Sequence, residues 1–224
     1  MPTPRAGYFL KDGTRVPGTT TIIGRFKESG GLLQWAFKQG QSGASHLYQE
    51  AEKAADIGTC AHAMVEMRIK GRSDDDIDAY ASETLTDPDM HNKAMSAFKA
   101  YEAWAENFQV KILEQEIQLV SELHRFGGTP DAIGLIGNQL VLLDWKTSNS
   151  VYTDYLIQLA AYAQLWNENN PDRIITGGFH LLRFAKTHGD FAHHYFPSLD
   201  EAWKQFLLFR EAYDIDKTLK KRAA

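Results

Sequence analysis

Gly128-Thr129-Pro130-Asp131, followed by Asn138-Gln139-Leu140-Val141-Leu142-Leu143-Asp144-Trp145-Lys146-Thr147, is the stretch on which the reading of this chain turns. The second segment reads as a buried strand opened by a Gly137-Asn138 turn. Strand side chains alternate in direction, so Asp144 and Lys146 point to one face and Trp145 to the other. Gly127, Gly128 and Pro130 mark a bend or bulge in a preceding strand, which aims Asp131 at the same spot. Two carboxylates supply hard oxygen ligands for Mg²⁺ or Mn²⁺, and a neighbouring ammonium can orient a water and offset phosphate charge. Taken singly, an Asp-x-Lys on a strand is ordinarily a surface ion pair, and Gly-Thr-Pro-Asp is ordinarily a turn. Their order, their spacing and their surroundings favour a site.

Downstream, Thr153 to Trp166 has helical apolar periodicity, with Thr153 as the expected N-cap. Gln158 and Tyr162 are four apart and share a face. A helix that directly follows a strand packs back on its own sheet, which returns that face to the acids. Upstream, Asp56 to Glu66 also reads as helical, with Ile57, Ala61, Met64 and Val65 apolar and His62 and Glu66 at i and i+4. A lone histidine among small residues is ordinarily a hydrogen-bonded core residue. Here a Gly58-Thr59 pair precedes it and a glutamate follows at helical spacing.

The order His62, Glu116, Asp131, Asp144-x-Lys146, Gln158-x₃-Tyr162 resembles the RecB-type branch of the PD-(D/E)XK nucleases, whose mark is the Gly-Thr-x₂-His-x₃-Glu helix. Val16-Pro17-Gly18-Thr19-Thr20-Thr21-Ile22-Ile23, followed by a Trp35-bearing helix, is similar to the mitochondrial genome maintenance exonucleases and their phage relatives. The resemblance runs from about Val16 to Tyr162. It implies that His62, Asp131 and Asp144 bind the divalent ion, with the backbone carbonyl of Trp145 as a further ligand, and that Lys146 positions or activates the attacking water. Glu116, expected on the strand before the turn, would assist at a second metal site or hold a metal-bound water. Gln158 and Tyr162 would brace the site and contact the scissile strand, with Glu66, Trp35, Arg25 and Lys38 as further substrate contacts.

The activity so implied is that of a DNA exonuclease using one or two Mg²⁺ or Mn²⁺ ions. It would hydrolyse phosphodiester bonds at single-stranded or frayed ends and leave a 5′-phosphate. The implied setting is recombination, repair or phage DNA processing in the cytoplasm of a bacterium or phage-infected cell, beside a single-strand annealing or recombination partner protein. Three alternatives stay open. The chain could be a DNA-binding scaffold subunit with weak or unused nuclease activity, a structure-specific endonuclease, or a helical interaction protein on which Asp144 and Lys146 form a surface ion pair.

With 224 residues, 43% hydrophobic and 24% charged, the chain reads as one domain, residues 1–108 mainly helical and 109–224 the sheet core with the site. No run is long or apolar enough for a membrane span, and Met1-Pro2-Thr3-Pro4-Arg5 lacks the apolar core of a signal peptide. A formal net charge of -5 does not advertise a nucleic-acid binder. A bound cation would neutralise the acids, and Arg25, Lys27 and Lys38 near the start and Lys217, Lys220, Lys221 and Arg222 at the end could line a groove. The single cysteine, Cys60, excludes both an intrachain disulfide and the four-cysteine iron–sulfur cluster of several RecB-type relatives. It reads as a small buried helix residue. No Walker phosphate loop is present.

Tyr8 to Val16 reads as a hairpin turning at Asp12-Gly13. Helices are expected near 31–42, 45–70 and 88–108, the last two joined by a polar acidic segment around Asp74-Asp75-Asp76. Strands are expected near 110–121, 128–136 and 139–147, then a helix over 153–169, strands over Ile174–Phe184 and Phe191–Phe196, and a closing helix from Ser198 to Leu219. Helices first, then strands with a crossover helix, argue an α/β fold: a restriction-endonuclease-like central mixed sheet flanked by helices, with an N-terminal helical region. Those N-terminal helices could arch over the sheet and pass a single strand, with Phe26, Trp35 and Phe37 as stacking candidates. For Phe37, packing among the helices is the preferred reading. His193 and His194, adjacent on a strand, face opposite ways with no acid at ligand spacing and are not read as a second metal site. His124, close to the glycine bend, is expected to border the substrate groove.

Overall fold

The computed structural model describes residues 7–26, 37, 49–185 and 189–223. The expected 31–42 helix, with Trp35 and Lys38, lies outside the described residues except for Phe37, as does Lys27. Phe37 is 65% exposed, so it is not the packed residue expected. In chain order the elements are a small hairpin, β1 (Tyr8–Phe9) and β2 (Arg15–Val16), and four helices, α1 (Thr19–Phe26), α2 (Gln49–Ile69), α3 (Asp74–Thr84) and α4 (Pro88–Asn107). Strands β3 (Lys111–Gln115), β4 (Leu119–Ser121), β5 (Phe126–Gly128), β6 (Ala132–Ile136) and β7 (Gln139–Thr147) follow. Helix α5 (Thr153–Asn169), β8 (Phe179–Phe184), β9 (Phe191–Phe196) and α6 (Asp200–Ala223) complete the fold.

The central sheet has the order β3-β6-β7-β8-β9. Its β3–β6, β6–β7 and β8–β9 pairs are antiparallel, whereas β7 and β8 are parallel. A parallel pair needs a long crossover, and α5 supplies it. β7 is central and covered on both faces. Val141, Leu143 and Trp145 join Ala132, Leu182 and Phe184 against Met64 and Val65 of α2 and Phe98, Tyr101 and Trp104 of α4. Leu140 and Leu142, one residue out of phase, join Ile133 and Leu181 against Ile22 of α1, Leu165 and Trp166 of α5 and Phe206 of α6. The architecture is therefore a mixed α/β sheet between two helical layers, as expected of the restriction-endonuclease-like fold. Asp144 falls in phase with Leu140 and Leu142 and is 0% exposed on the α5 face. A fully buried leucine there stabilises by roughly 1.5–3 kcal/mol. A carboxylate in the same row costs stability, so packing does not explain its presence.

Several boundaries differ from the sequence expectation, each for a local reason. The single strand expected over 110–121 breaks into β3 and β4 at Glu116, whose φ of 50° bends the chain. The strand expected over 128–136 is likewise two. β5 pairs with β4 in a separate two-stranded ribbon, and β6 joins the main sheet after the Thr129–Asp131 bend. Residues 174–178 are not strand: Thr176 and Gly177 both donate to the Leu140 carbonyl, Gly178 has φ 77°, and pairing begins only at Phe179. The acidic segment at Asp74 is the first turn of α3, closed by a capping box in which Ser73 accepts from the Asp76 N–H and Asp76 from the Ser73 N–H. Thr19–Phe26 forms a helix that was not expected, and Phe26 spends its ring on Phe209 of α6 at 5.4 Å. Thr153 is the first helical residue of α5; the N-cap is Tyr152, extended and without a side-chain cap bond.

Candidate active site

Glycines at the end of β5 set the approach of Asp131. A Cβ on Gly127 would stand 2.2 Å from the Tyr8 ring, and one on Gly128 2.6 Å from Tyr162 Cε1, so only glycine lets β5 lie between the hairpin and α5. The Thr19 hydroxyl donates to the Gly127 carbonyl at 2.9 Å, and Tyr8 Oη and Thr129 Oγ1 are hydrogen-bonded at 2.9 Å. Beyond the bend, Asp131 Oδ2 accepts the Trp145 N–H at 2.7 Å, and the Asp131 carbonyl accepts the Glu116 N–H at 3.0 Å. The carboxylate is thereby fastened to the very strand that carries the second acid.

On β7, Lys146 Nζ lies 2.5 Å from Asp144 Oδ2. The ammonium also stands 5.4 Å from the centroid of the Tyr155 ring. On α5, Gln158 Nε2 donates to Tyr162 Oη at 2.8 Å. Tyr155, three residues before Gln158 and seven before Tyr162, shares their helical face, so its place beside the site is a signal that spacing alone carries.

α2 reaches this end of β7 from the opposite layer. A Cβ on Gly58 would fall 1.7 Å from Thr147 Cγ2, so glycine is required where helix and strand touch. One turn further on, the His62 ring stacks on Trp145, with centroids 6.2 Å apart and planes 17° apart, and its Nε2 lies 3.3 Å from Glu66 Oε1. Lys70 Nζ stands 3.5 Å from Glu66 Oε2 and 3.9 Å from Glu116 Oε2. Glu116 therefore sits at a bend, not on a strand, with its side chain turned toward α2 and 42% exposed.

The electrostatics follow from burial. Asp131 is held well above the usual carboxylate range, first by burial and then by the charge of Asp144, against the opposing pull of Lys146 and the Trp145 N–H. For Lys146, burial disfavours the ammonium, but Asp144 and Asp131 outweigh it and its pKa is raised, so it is charged at neutral pH. Burial, then both acids, lift the Tyr162 phenol far above its ordinary value, so it is a neutral donor. Burial lowers the His62 pKa, with Glu66 and Asp144 opposing, so its ring is neutral at neutral pH. Burial pushes the Cys60 thiol up to about 11, which removes it as a nucleophile.

Asp131 Oδ1 and Asp144 Oδ1 are buried and accept no hydrogen bond. Two orphaned carboxylate oxygens fit a hard divalent cation, which would satisfy both. Among the described residues, however, no three His, Cys, Asp or Glu side chains are gathered to hold an ion as they stand. The His62, Asp131, Asp144 set implied by the resemblance is thus not preformed, because His62 belongs to the other layer and turns to Glu66 and Trp145.

The remaining candidates have local partners of their own. Arg25 is engaged by Asp216 of α6 at 2.7 Å. The His124 ring packs edge-on against Trp203 at 5.1 Å, and its backbone N–H donates to Ser121 Oγ. His193 is hydrogen-bonded to His180, Nε2 to Nδ1, at 2.8 Å. No helix among the described residues is long and apolar enough to cross a membrane.

No curated protein matches the chain. Among solved structures it is similar to a protein designated an exonuclease from Eubacterium rectale, at 15% identity and TM-score 0.46, covering 68% of this chain and 64% of that one. It is also similar to an alkaline exonuclease from Laribacter hongkongensis, at 14% identity and TM-score 0.34, covering 77% of this chain and 92% of that one. That exonuclease in complex with dAMP gives 13% identity and TM-score 0.40, covering 77% and 91%. The family model described as PD-(D/E)XK nuclease superfamily matches residues 32–219, most of the chain and all of the acid–acid–lysine constellation, and the protein belongs to that superfamily.

Proposed function

We propose that this protein is a divalent-cation-dependent DNA exonuclease acting on single-stranded or frayed ends, in recombination, repair or phage DNA processing. The observation that carries the reading is the buried pair Asp131 and Asp144, each with an orphaned oxygen, beside the ammonium of Lys146 at the end of β7. Asp131, Asp144 and the Trp145 carbonyl would hold a Mg²⁺ or Mn²⁺ ion, with His62 joining through its neutral ring. Such an ion, when bound, polarises the scissile phosphate and lowers the pKa of a coordinated water.

The protein's own groups do the rest. Lys146 holds a water for in-line attack and offsets charge on the phosphate, a contribution largest in a site shielded from solvent. Gln158 and Tyr162, linked to each other and neutral, offer donors to the scissile strand. Glu66 and Glu116, tied through Lys70, border the site from α2 and the β3–β4 bend. A recombination partner and a cytoplasmic setting are the natural complements of this activity.

The test is cleavage of end-labelled single-stranded, duplex and circular DNA with Mg²⁺, Mn²⁺ or EDTA, by wild type and Lys146→Ala. Cation-dependent loss of linear single strands, sparing circles and absent in the variant, is expected, and the label gives polarity. Cutting of circles would make the protein an endonuclease. Binding without cutting by either protein would make it a scaffold.

A further inference from the structure

Tyr152 occupies a position that local energetics assign to another residue type. It is the N-cap of α5, extended at φ -111°, ψ 151°, and its side chain makes no cap bond. Ser, Thr, Asp and Asn are the residues that satisfy the free N–H groups at such a position, and tyrosine satisfies none. Nor does the ring contribute to the core, because Tyr152 is 49% exposed. Residues that forgo a local rule without a packing gain concentrate at functional sites.

What surrounds the ring indicates its use. Tyr152 meets Tyr155 edge-on, with centroids 5.4 Å apart and planes at 82°. The Tyr155 N–H donates to the Tyr152 carbonyl at 3.0 Å, which fixes the relative position of the two residues. Tyr155 in turn lies against the ammonium of Lys146, 5.4 Å from the ring centroid, and Lys146 is paired with Asp144. An exposed aromatic face is thus braced by a second ring that touches the reacting centre itself.

We propose that Tyr152 is a nucleobase-stacking platform for the nucleotide beside the scissile phosphate, with Tyr155 as the brace that sets its distance from Lys146; this rests on the nuclease reading above. Every base has a flat π face, so the platform takes single-stranded DNA without regard to sequence. Its place one ring beyond Lys146 selects a base adjoining the cleaved bond.

The experiment compares wild type, Tyr152→Ser and Tyr152→Phe in three measurements. These are kcat and KM on a linear single-stranded oligonucleotide with Mg²⁺, binding of the same oligonucleotide by fluorescence anisotropy in EDTA, and thermal melting. Stacking on one ring is worth about a 10-fold change in affinity. Tyr152→Ser is expected to raise KM and Kd by that factor, with the loss falling on KM rather than kcat. Its melting temperature should hold or rise, since serine restores the missing cap. Tyr152→Phe, which keeps the ring, should recover the affinity. An oligonucleotide abasic at the platform position should weaken wild type by the same factor and leave Tyr152→Ser unmoved. Unchanged KM and Kd in Tyr152→Ser, or equal losses on intact and abasic strands, would overturn the platform while leaving the nuclease reading intact. A wild type that neither binds nor cleaves the strand would remove both.

Discussion

Two polar clusters, one buried and one partly buried, share one sheet, and they are solved in opposite ways. At the end of β7, Asp131 and Asp144 stand together with orphaned oxygens, beside the ammonium of Lys146 and the Trp145 N–H. On β8 and β9, His180 Nδ1 and His193 Nε2 bond to each other at 2.8 Å, and His180 has a further backbone bond with Gly177. Aromatic rings pack on the histidine pair: Trp104 lies 4.9 Å from His193, Phe108 5.4 Å from His193, and Tyr195 5.0 Å from His180. His180 and His193 each satisfy a ring nitrogen of the other. The acids do not: Asp131 Oδ1 and Asp144 Oδ1 accept no hydrogen bond, a deficit that the proposed cation would fill.

The largest expected effect separates the clusters by activity. Lys146→Ala should lower kcat on linear DNA by on the order of 10³-fold, the size of removing one fixed charge at a transition state. His193→Leu should leave kcat within about 2-fold, as befits a residue whose bonds are all structural. A nuclease assay on both purified variants checks this. Equal losses would erase the distinction.

A second expectation concerns acid. His180 is lowered to about 4 from 6.5, by burial first and then by His193, and His193 is lowered too. Between those values the unfolded chain binds the proton and the folded chain does not. The stabilising contribution is therefore complete above about pH 6.5 and is lost as pH falls toward 4, on the order of 3 kcal/mol. Urea denaturation from pH 7.5 to 4.5 should show this slope, and replacing both histidines with leucine should flatten it. For Asp131 the sign reverses: its raised pKa favours folding at low pH, and that contribution disappears as pH rises through the elevated value.

The smallest effect follows from that reversal. In EDTA at pH 7.5, Asp131→Asn should be more stable than wild type by about 1–2 kcal/mol, because it relieves a like-charge pair in a buried site, while activity is lost. Equilibrium urea unfolding measures it. A destabilised variant would mean that the acids are held for structure.

The site was more legible in the sequence than its surroundings. β7 runs from Gln139 to Thr147 and α5 from Thr153 to Asn169, as their periodicities require. The face shared by Gln158 and Tyr162 was readable from spacing, and the pair is hydrogen-bonded. What escaped was set by contacts remote in sequence or by caps. α3 looked like a solvated acidic linker because three aspartates open it, although Ser73 and Asp76 form the box that starts it and Ile77 and Ala81 bury its inner face. Glu116 looked like a strand residue because nothing local announces a positive φ at a glutamate. Ile174 and Ile175 looked like strand, but Gly177 and Gly178 lie tight against Val141 and Phe196, and pairing waits for Phe179. The approach of α2 to β7 at Gly58 and Thr147, which brings His62 to the far side of Trp145 while its charge still interacts with Asp144, is a contact that no local pattern encodes.

The central claim is that the orphaned acid pair is a cation site. The direct measurement is the melting temperature of EDTA-stripped wild type and Asp131→Asn during titration with Mn²⁺. Binding to the folded state alone stabilises by about 2.7 kcal/mol at 100 times Kd, so wild type should rise by several degrees and saturate, while Asp131→Asn should not move. Equal rises in both proteins, or none in either, would contradict the account.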